Sequence, residues 1–414
     1  MTTDAARPAP GAPGALAGPL PLGATVGIFG GGQLGRMLAM AAHRLGLRAH
    51  IYCPDPDSPA FDVTPLKTVA AYDNLPALAR FAAAVDAITW EFENVPAEIV
   101  KYRGISDLLR GSSAALDISG DRRHEKRFLQ ACGLAVAPWQ AVDSIADLRI
   151  AFAAIGAPAV LKTRRFGYDG KGQRTLQTED ELPSAINALA GAPAILEAHI
   201  PFDLELSVIL ARGENGAVAA YDPVENVHEN HILRTSTVPA AIAPGIAEAA
   251  LAAAATIAEA LDYVGVIGVE FFVTGGEKPL LINEFAPRVH NSGHWTAAAC
   301  AVSQFDQHIR AVAGWPLGDP ARFADAQMRN LIGDEVLQAP LTAASGEYVE
   351  IYGKREIRPG RKMGHTVRLA PRTPSPPGNA GLCGVILLSA RLTKPGVSPG
   401  AATGALRNCR KCLD

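Results

Sequence analysis

Residues 24–53 leave the N-terminal part of this chain few folds to choose from. Ala24-Thr25-Val26-Gly27-Ile28-Phe29 reads as a buried strand and Gly30-Gly31-Gly32-Gln33-Leu34-Gly35 as a tight turn. Arg36 to Ala42 reads as a helix, and Arg48 to Cys53 as a second strand closed by Pro54-Asp55-Pro56. A strand, helix, strand series of this length is a βαβ unit, which requires parallel strands. A further strand at Ala87-Ile88-Thr89-Trp90, followed by Glu91-Phe92-Glu93-Asn94, extends the sheet to about residue 115. Ligands of parallel sheets gather at the carboxyl ends of the strands, where Gln33, Glu91 and Glu93 fall.

The glycine turn admits three readings. Its helix N-terminus offers free N–H groups to a phosphate. Asp55, twenty residues beyond Gly35, matches the ribose-binding acid of a dinucleotide site. The glycines also suit tight strand–helix packing alone. Phosphate equipment recurs in Lys162-Thr163-Arg164-Arg165-Phe166-Gly167-Tyr168-Asp169-Gly170-Lys171-Gly172-Gln173. Three glycines between two strands, with Lys162 before them and Lys171 among them, make either a loop that closes over a polyphosphate or a solvated basic hairpin.

Beyond the parallel sheet, the pattern is a helix at Asp121 to Cys132, strands at Ala159 to Arg164 and Gln173 to Gln177, and a helix from Glu179 to Ala190. Strands follow at 194–197, 204–211, 217–221, 264–273 and 279–285. Strand runs joined by hairpins argue an α+β unit here. At about 150 residues per domain, 414 residues give two or three domains. The divisions fall at 1–22, a Pro/Ala-rich leader expected to be disordered, then 23–118, 119–200 and 201–370. Residues 371–414 hold six prolines and six glycines, and no packed structure is expected there.

With 38 basic and 41 acidic residues, nothing points to a nucleic-acid or anionic-membrane surface. No apolar run reaches the roughly 20 residues of a membrane span, and the Ala-rich 247–261, with Glu248 and Glu259, reads as a buried helix. Six scattered cysteines fit a reducing cytoplasm, and Cys409-Arg410-Lys411-Cys412 lacks a second pair at zinc spacing.

Two acids sit on apolar strands, Glu270 after Val266-Ile267-Gly268-Val269 and Glu284 after Leu280-Leu281-Ile282. If 275–279 is a five-residue hairpin loop, they stand opposite each other, about 5 Å apart at Cβ. A cation between them, a shared proton, or a slipped register that turns the carboxylates outward would each relieve the repulsion. Paired oxygen ligands beside Asn283 suit Mg²⁺ shared with phosphate. The strand end Glu197-Ala198-His199-Ile200 could offer backbone groups to a flat base. Glu205 suits either ribose hydroxyls or a solvent-facing strand position.

In this order the motifs resemble the ATP-grasp superfamily and, within it, the 5-(carboxyamino)imidazole ribonucleotide synthetase family, over about 24–369. The resemblance rests on Gly31-Gly32-Gln33-Leu34-Gly35-Arg36-Met37, on 167–173, and on Asn283-Glu284-Phe285-Ala286-Pro287-Arg288-Val289-His290-Asn291-Ser292-Gly293-His294-Trp295. Arg358-Pro359-Gly360-Arg361-Lys362-Met363-Gly364-His365 completes it. The long Asn-Glu-Phe-Ala-Pro-Arg-Val-His run is the specific part.

The resemblance implies an ATP-grasp fold: a Rossmann-like pre-ATP-grasp domain, a small lid subdomain and a C-terminal α+β domain. It implies a ligase that uses ATP and bicarbonate, through carboxyphosphate, to carboxylate the 5-amino group of aminoimidazole ribonucleotide (AIR) to N5-CAIR in purine biosynthesis. By matching motif, Arg122, Lys162, Gly167, Tyr168, Asp169, Gly170, Lys171, Gly172, Gln173, Glu197, Ala198, His199, Ile200, Glu205, His228, Asn283 and Glu284 would contact ATP. Glu270 and Glu284 would hold Mg²⁺. Gly32, Gln33, Leu34, Glu91, Lys354 and Arg361 would bind AIR, while Lys162, Tyr168, Asp169, Lys171 and Arg288 would act in catalysis. A homodimer that passes its product to the N5-CAIR mutase is also implied. Two departures accompany the likeness: Lys171 stands where relatives can have arginine, and a Pro/Gly-rich run replaces the closing helix and strand expected after Leu369. The alternatives are another carboxylate–amine ligase of the superfamily, a non-catalytic nucleotide-binding protein, and an NAD-dependent dehydrogenase.

Overall fold

The structure, a computed structural model, describes residues 18–167, 171–276, 279–344, 346–373 and 385–387. Tyr168, Asp169, Gly170, residues 1–17 of the leader and most of the tail, with Cys409 and Cys412, lie outside them. Among the described residues there are three sheets. The first is parallel, in the order Lys67–Val69, Arg48–Cys53, Thr25–Phe29, Ala87–Trp90. Thr25–Phe29 and Ala87–Trp90 are buried from end to end, as befits strands of a covered parallel sheet.

The second sheet has ten strands, with a main path from Leu280–Ala286 through Gly265–Val273, Leu204–Arg212, Val224–Glu229, Ile232–Val238, Ala324–Ile332 and Lys362–Pro371 to Tyr348–Ile351. The third is antiparallel, in the order Trp139–Val142, Ala194–Ala198, Ala159–Thr163, Gln173–Leu176. Its helices Ile145–Ile155 and Leu182–Ala188 close a small core of its own. This is the mixed α/β ATP-grasp architecture with an N-terminal parallel sheet. The helix Pro244–Ala260 packs one face on the large sheet and leaves Glu248 and Glu259 exposed, so it is amphipathic rather than buried all round. Among the described residues no helix is long and apolar enough to cross a membrane.

The structure departs from expectation at both ends. Leu20, within the expected leader, is buried; its N–H donates to the Ala313 carbonyl (2.8 Å) and its own carbonyl accepts from Trp315 Nε1 (2.8 Å). The Gly18 carbonyl also accepts from Arg110 Nη2 (3.3 Å), so residues 18–22 are tied to the body of the protein. At the other end Lys362–Pro371 runs past residue 370, and Val385–Leu387 pairs antiparallel with Ala217–Ala220, an edge strand that accepts it.

The N-terminal sheet is fused to the large one. Trp90 Nε1 donates to the Pro287 carbonyl (3.0 Å). The fully buried His308 accepts the Val266 N–H at Nδ1 (3.0 Å), which leaves Nε2–H to donate to Thr89 Oγ1 (2.8 Å). Burial lowers this imidazole to about 3 from an ordinary 6.5. Between those values the unfolded chain takes a proton that the folded chain refuses, so stability falls as pH falls, by about 1.4 kcal/mol per pH unit. The stability gap between the parent chain and His308→Gln should therefore shrink from pH 6 to pH 4 in urea unfolding. A constant gap would contradict this account.

Candidate active site

The centre of the site is the junction of helix Arg122–Ala131 with strand Leu280–Ala286. Asp121 caps the helix by accepting the Arg123 N–H (2.9 Å), and is itself gripped by the Arg164 guanidinium (2.6 Å at Nη2). Three inward side chains of the first turns clip the helix to three successive strand residues. Lys126 Nζ donates to the Asn283 carbonyl (2.7 Å), Arg122 Nη1 to Glu284 Oε2 (2.7 Å), and Glu125 Oε1 accepts the Phe285 N–H (2.8 Å). Lys126 and Glu125 are buried. Sequence reasoning did not single them out, although residues 122, 125 and 126 share the helix face of Phe128 and Leu129, where charges need a partner.

Glu270 and Glu284 do face each other, but not by the simple hairpin expected. Near the turn the pairs are Val273 with Leu280 and Phe271 with Ile282, one residue off the register that the five-residue loop gives. A bulge at Asn283 then restores the pairing of Glu270 with Glu284. Bulges re-aim side chains in this way beside active sites. Asn283 Oδ1 is a buried oxygen with no hydrogen-bond partner among the described residues. Burial and the facing Glu284 push Glu270 up to about 7. Burial also acts upward on Glu284, but Arg122 outweighs it and holds that carboxyl low. Burial and Glu284 raise Glu125 to about 8. Two facing acids, one held ionised by Arg122 and the other raised by burial and its neighbour, make with the orphaned amide oxygen a hard-oxygen set that fits Mg²⁺. Among the described residues no three His, Cys, Asp or Glu form a closed cage, so such a cation would complete its shell with phosphate oxygens and water.

The third sheet meets this junction through Glu197, which is buried and ion-paired with Lys162 Nζ (2.6 Å) and Lys126 Nζ (3.2 Å). Burial opposes its ionisation, but the two lysines hold it well below the usual carboxylate range. Its carboxylate is thus committed to the lysines. The Ala198 and His199 N–H groups are likewise taken, by the Pro138 (2.9 Å) and Pro158 (3.1 Å) carbonyls, so the strand end does not offer them to a base. Glu205 does not simply face solvent: its Oε2 lies 2.6 Å from His228 Nδ1, with both side chains half-buried. Gln173 Nε2 lies 3.3 Å from His231 Nδ1, across the mouth of the loop that carries Gly167, Lys171 and Gly172.

On the far side, the glycine turn is not an empty anion cradle. The Gly35 N–H donates to Glu91 Oε2 (2.5 Å) and the Gly32 N–H to Glu91 Oε1. A buried carboxylate therefore occupies the N-terminus of helix Gln33–Arg44, where the phosphate reading put an anion. Glu91 thus caps this helix. Burial pushes its carboxyl up against the pull of those amides, Arg288 and Lys354. Gln33 opens the helix and Leu34 is buried beneath it. Glu93 is forked by Arg288, Nη2 to Oε1 at 3.1 Å, which holds Glu93 low despite burial. Lys354 Nζ donates to the Lys362 carbonyl (2.6 Å) and Arg361 Nη1 to the Glu356 carbonyl (2.8 Å). Arg355 pairs with Asp57, joining this loop to the N-terminal sheet. A continuous series of charges thus runs from Lys354 through Glu91, Arg288, Glu93, Glu284 and Arg122 to Lys162.

Three family profiles cover the chain: a ribonucleotide synthetase preATP-grasp domain at 23–117, an ATP-grasp domain at 127–305, and a phosphoribosylaminoimidazole carboxylase C-terminal domain at 326–374. The N5-carboxyaminoimidazole ribonucleotide synthase of Brucella melitensis is 54% identical over 355 residues, 85% of this chain and 98% of that protein. The chain belongs to the N5-carboxyaminoimidazole ribonucleotide synthase family. The Bacillus subtilis member is 42% identical over 346 residues, 83% of this chain and 90% of its own. The crystal structure of the Staphylococcus aureus synthetase with ADP superposes at TM-score 0.81, with 34% identity over 85% of this chain and 95% of that one. The Aspergillus clavatus synthase with ADP and 5-aminoimidazole ribonucleotide gives 0.78, with 30% identity over 84% and 94%.

Proposed function

We infer that the chain is an ATP-dependent ligase that carboxylates the 5-amino group of AIR to N5-CAIR in purine biosynthesis, with bicarbonate as carbon source and carboxyphosphate as the activated form. The observation that carries this reading is the pairing of Glu270 with Glu284 across the bulge, ringed by Arg122, Lys126 and Lys162. Arg122, Lys126 and Lys162 together bring positive charge to this junction, which attracts a polyphosphate.

Glu270, Glu284 and Asn283 Oδ1 would hold Mg²⁺, which when bound neutralises charge on the β- and γ-phosphoryl oxygens. Lys162, anchored by Glu197, reaches the same oxygens, and the 167–173 loop with Lys171 closes over them and keeps water from a labile acyl phosphate. Glu205, with His228, and the strand end at 197–200 line the nucleoside end. Arg288, fixed by Glu93 beside Glu284, presents its guanidinium to the carboxylate being transferred. Gly32, Gln33, Leu34, Glu91, Tyr168 and Asp169 would orient AIR, and Lys354 and Arg361 its 5′-phosphate. In this reading the enzyme works in the cytoplasm as a homodimer and releases its product to an N5-CAIR mutase.

The test is ADP release. Turnover should require Mg²⁺ and bicarbonate and be stimulated by AIR. Stimulation by a different amine would assign another carboxylate–amine ligase, and nucleotide binding without turnover under every condition would reject an enzymatic role.

A further inference from the structure

We propose that His231 is a positioning residue: from the tip of a hairpin of the ten-stranded sheet it holds Gln173, and with it the returning root of the 167–173 loop. This rests on reading that loop as the cover of the activated phosphate. Gln173 Nε2 lies 3.3 Å from His231 Nδ1. An amide nitrogen only donates, so Nδ1 accepts and the imidazole carries its proton on Nε2. Gln173 opens the last strand of the third sheet, and His231 lies between Val224–Glu229 and Ile232–Val238 of the large one, so this hydrogen bond joins the two sheets.

Both partners are braced from behind. Gln173 stands opposite Lys162 in the antiparallel pairing of Ala159–Thr163 with Gln173–Leu176, so its side chain leaves the sheet on the face of the lysine. Glu197 fixes Lys162 there (2.6 Å). One residue further into the loop the Thr163 N–H donates to the Gly172 carbonyl (2.8 Å). Gly172, at φ +73°, lies so near that a Cβ would stand 2.5 Å from Thr163 Oγ1. A root packed this tightly passes the placement of Gln173 on to Gly172 and Lys171. On the other side Glu229 pairs with Ile232, which leaves Asn230 and His231 as a two-residue connection with φ of +52° and +65°. Such turns take Asn-Gly most readily, because glycine meets the second positive φ without the crowding that a Cβ brings. The turn by itself therefore gives no reason for an imidazole at 231, and the contact with Gln173 does. The tip also leans on the loop that carries Arg361: a Cβ on Gly360 would stand 3.4 Å from Ile232 Cδ1.

Glycine at 231 separates the two roles, because it suits the turn and removes the contact. His231→Gly should unfold at the temperature of the parent or above it. Its ratio of ADP released with bicarbonate alone to ADP released with bicarbonate and AIR should nevertheless rise by about fivefold, the effect of one ordinary hydrogen bond, as a loosened cover lets water reach the acyl phosphate. In a Gln173→Leu background the same substitution should change that ratio by less than about twofold, since the partner is already gone. A lowered unfolding temperature with an unchanged ratio, or equal effects of His231→Gly in the two backgrounds, would overturn the proposal. Were ADP release by the parent indifferent to bicarbonate and AIR, the functional reading would fall and this inference with it. A parent and a His231→Gly variant with the same low ratio would remove this inference alone.

Discussion

Glu284→Gln should lower kcat for ADP release by about 10³-fold, the size of effect that removal of a charge-stabilising group in a water-poor site produces. The amide keeps the shape of the side chain and removes its charge. A cation held by Glu270 and Asn283 alone loses half its anionic ligand charge, and Arg122, now without its 2.7 Å partner, is free to compete for the phosphate oxygens. Glu270→Gln should cost a similar factor in turnover, yet the two variants should differ in fold stability before Mg²⁺ is added. Burial and Glu284 already keep a proton on part of the Glu270 population near neutral pH, so glutamine imitates a state that the parent occupies. Glutamine at 284 instead leaves Arg122 as an uncompensated, largely buried cation. Thermal unfolding in chelator should thus find Glu270→Gln close to the parent and Glu284→Gln clearly below it, with both nearly inactive. Turnover within tenfold of the parent in either variant would remove the acid pair from the chemistry.

What could be read from the chain beforehand depended on how local each signal was. The parallel sheet was legible because Thr25–Phe29, the glycine turn and helix Gln33–Arg44 are contiguous and each has a periodicity of its own. The acid pair was legible because two carboxylates on apolar strands flank one Gly-Gly turn. The bulge at Asn283 was not, since it follows from Lys126 and Arg122 gripping the strand from a helix more than 150 residues away. Glu91 shares this limit: nothing near it in sequence says that its oxygens meet the amides of Gly32 and Gly35. The hairpin of Val224–Glu229 and Ile232–Val238 escaped for another reason. Val-Glu-Asn-Val-His-Glu is too polar to read as a strand, although the Asn230-His231 turn, with φ of +52° and +65°, is the two-residue hairpin connection that asparagine favours.

Glu197→Gln should be the most destabilising single change in the site, by about 3–5 kcal/mol in denaturant unfolding, because it strips a buried anion from between two lysines. Lys126 is fully buried, and among the described residues its ammonium meets the Asn283 carbonyl and Glu197. Lys162 and Arg122 lie close enough to repel it once the carboxylate is gone. Adding Lys126→Met should recover much of the stability: methionine fills the apolar path of the lysine stem and removes one unmatched charge. Turnover should not recover with it, since Lys162 still lacks the 2.6 Å anchor that aims it at the phosphates. Stability and catalysis therefore separate in the double variant. Full recovery of both would reduce Glu197 to a counter-ion for Lys126, and a loss below 1 kcal/mol in Glu197→Gln would mean that the lysines find solvent without it.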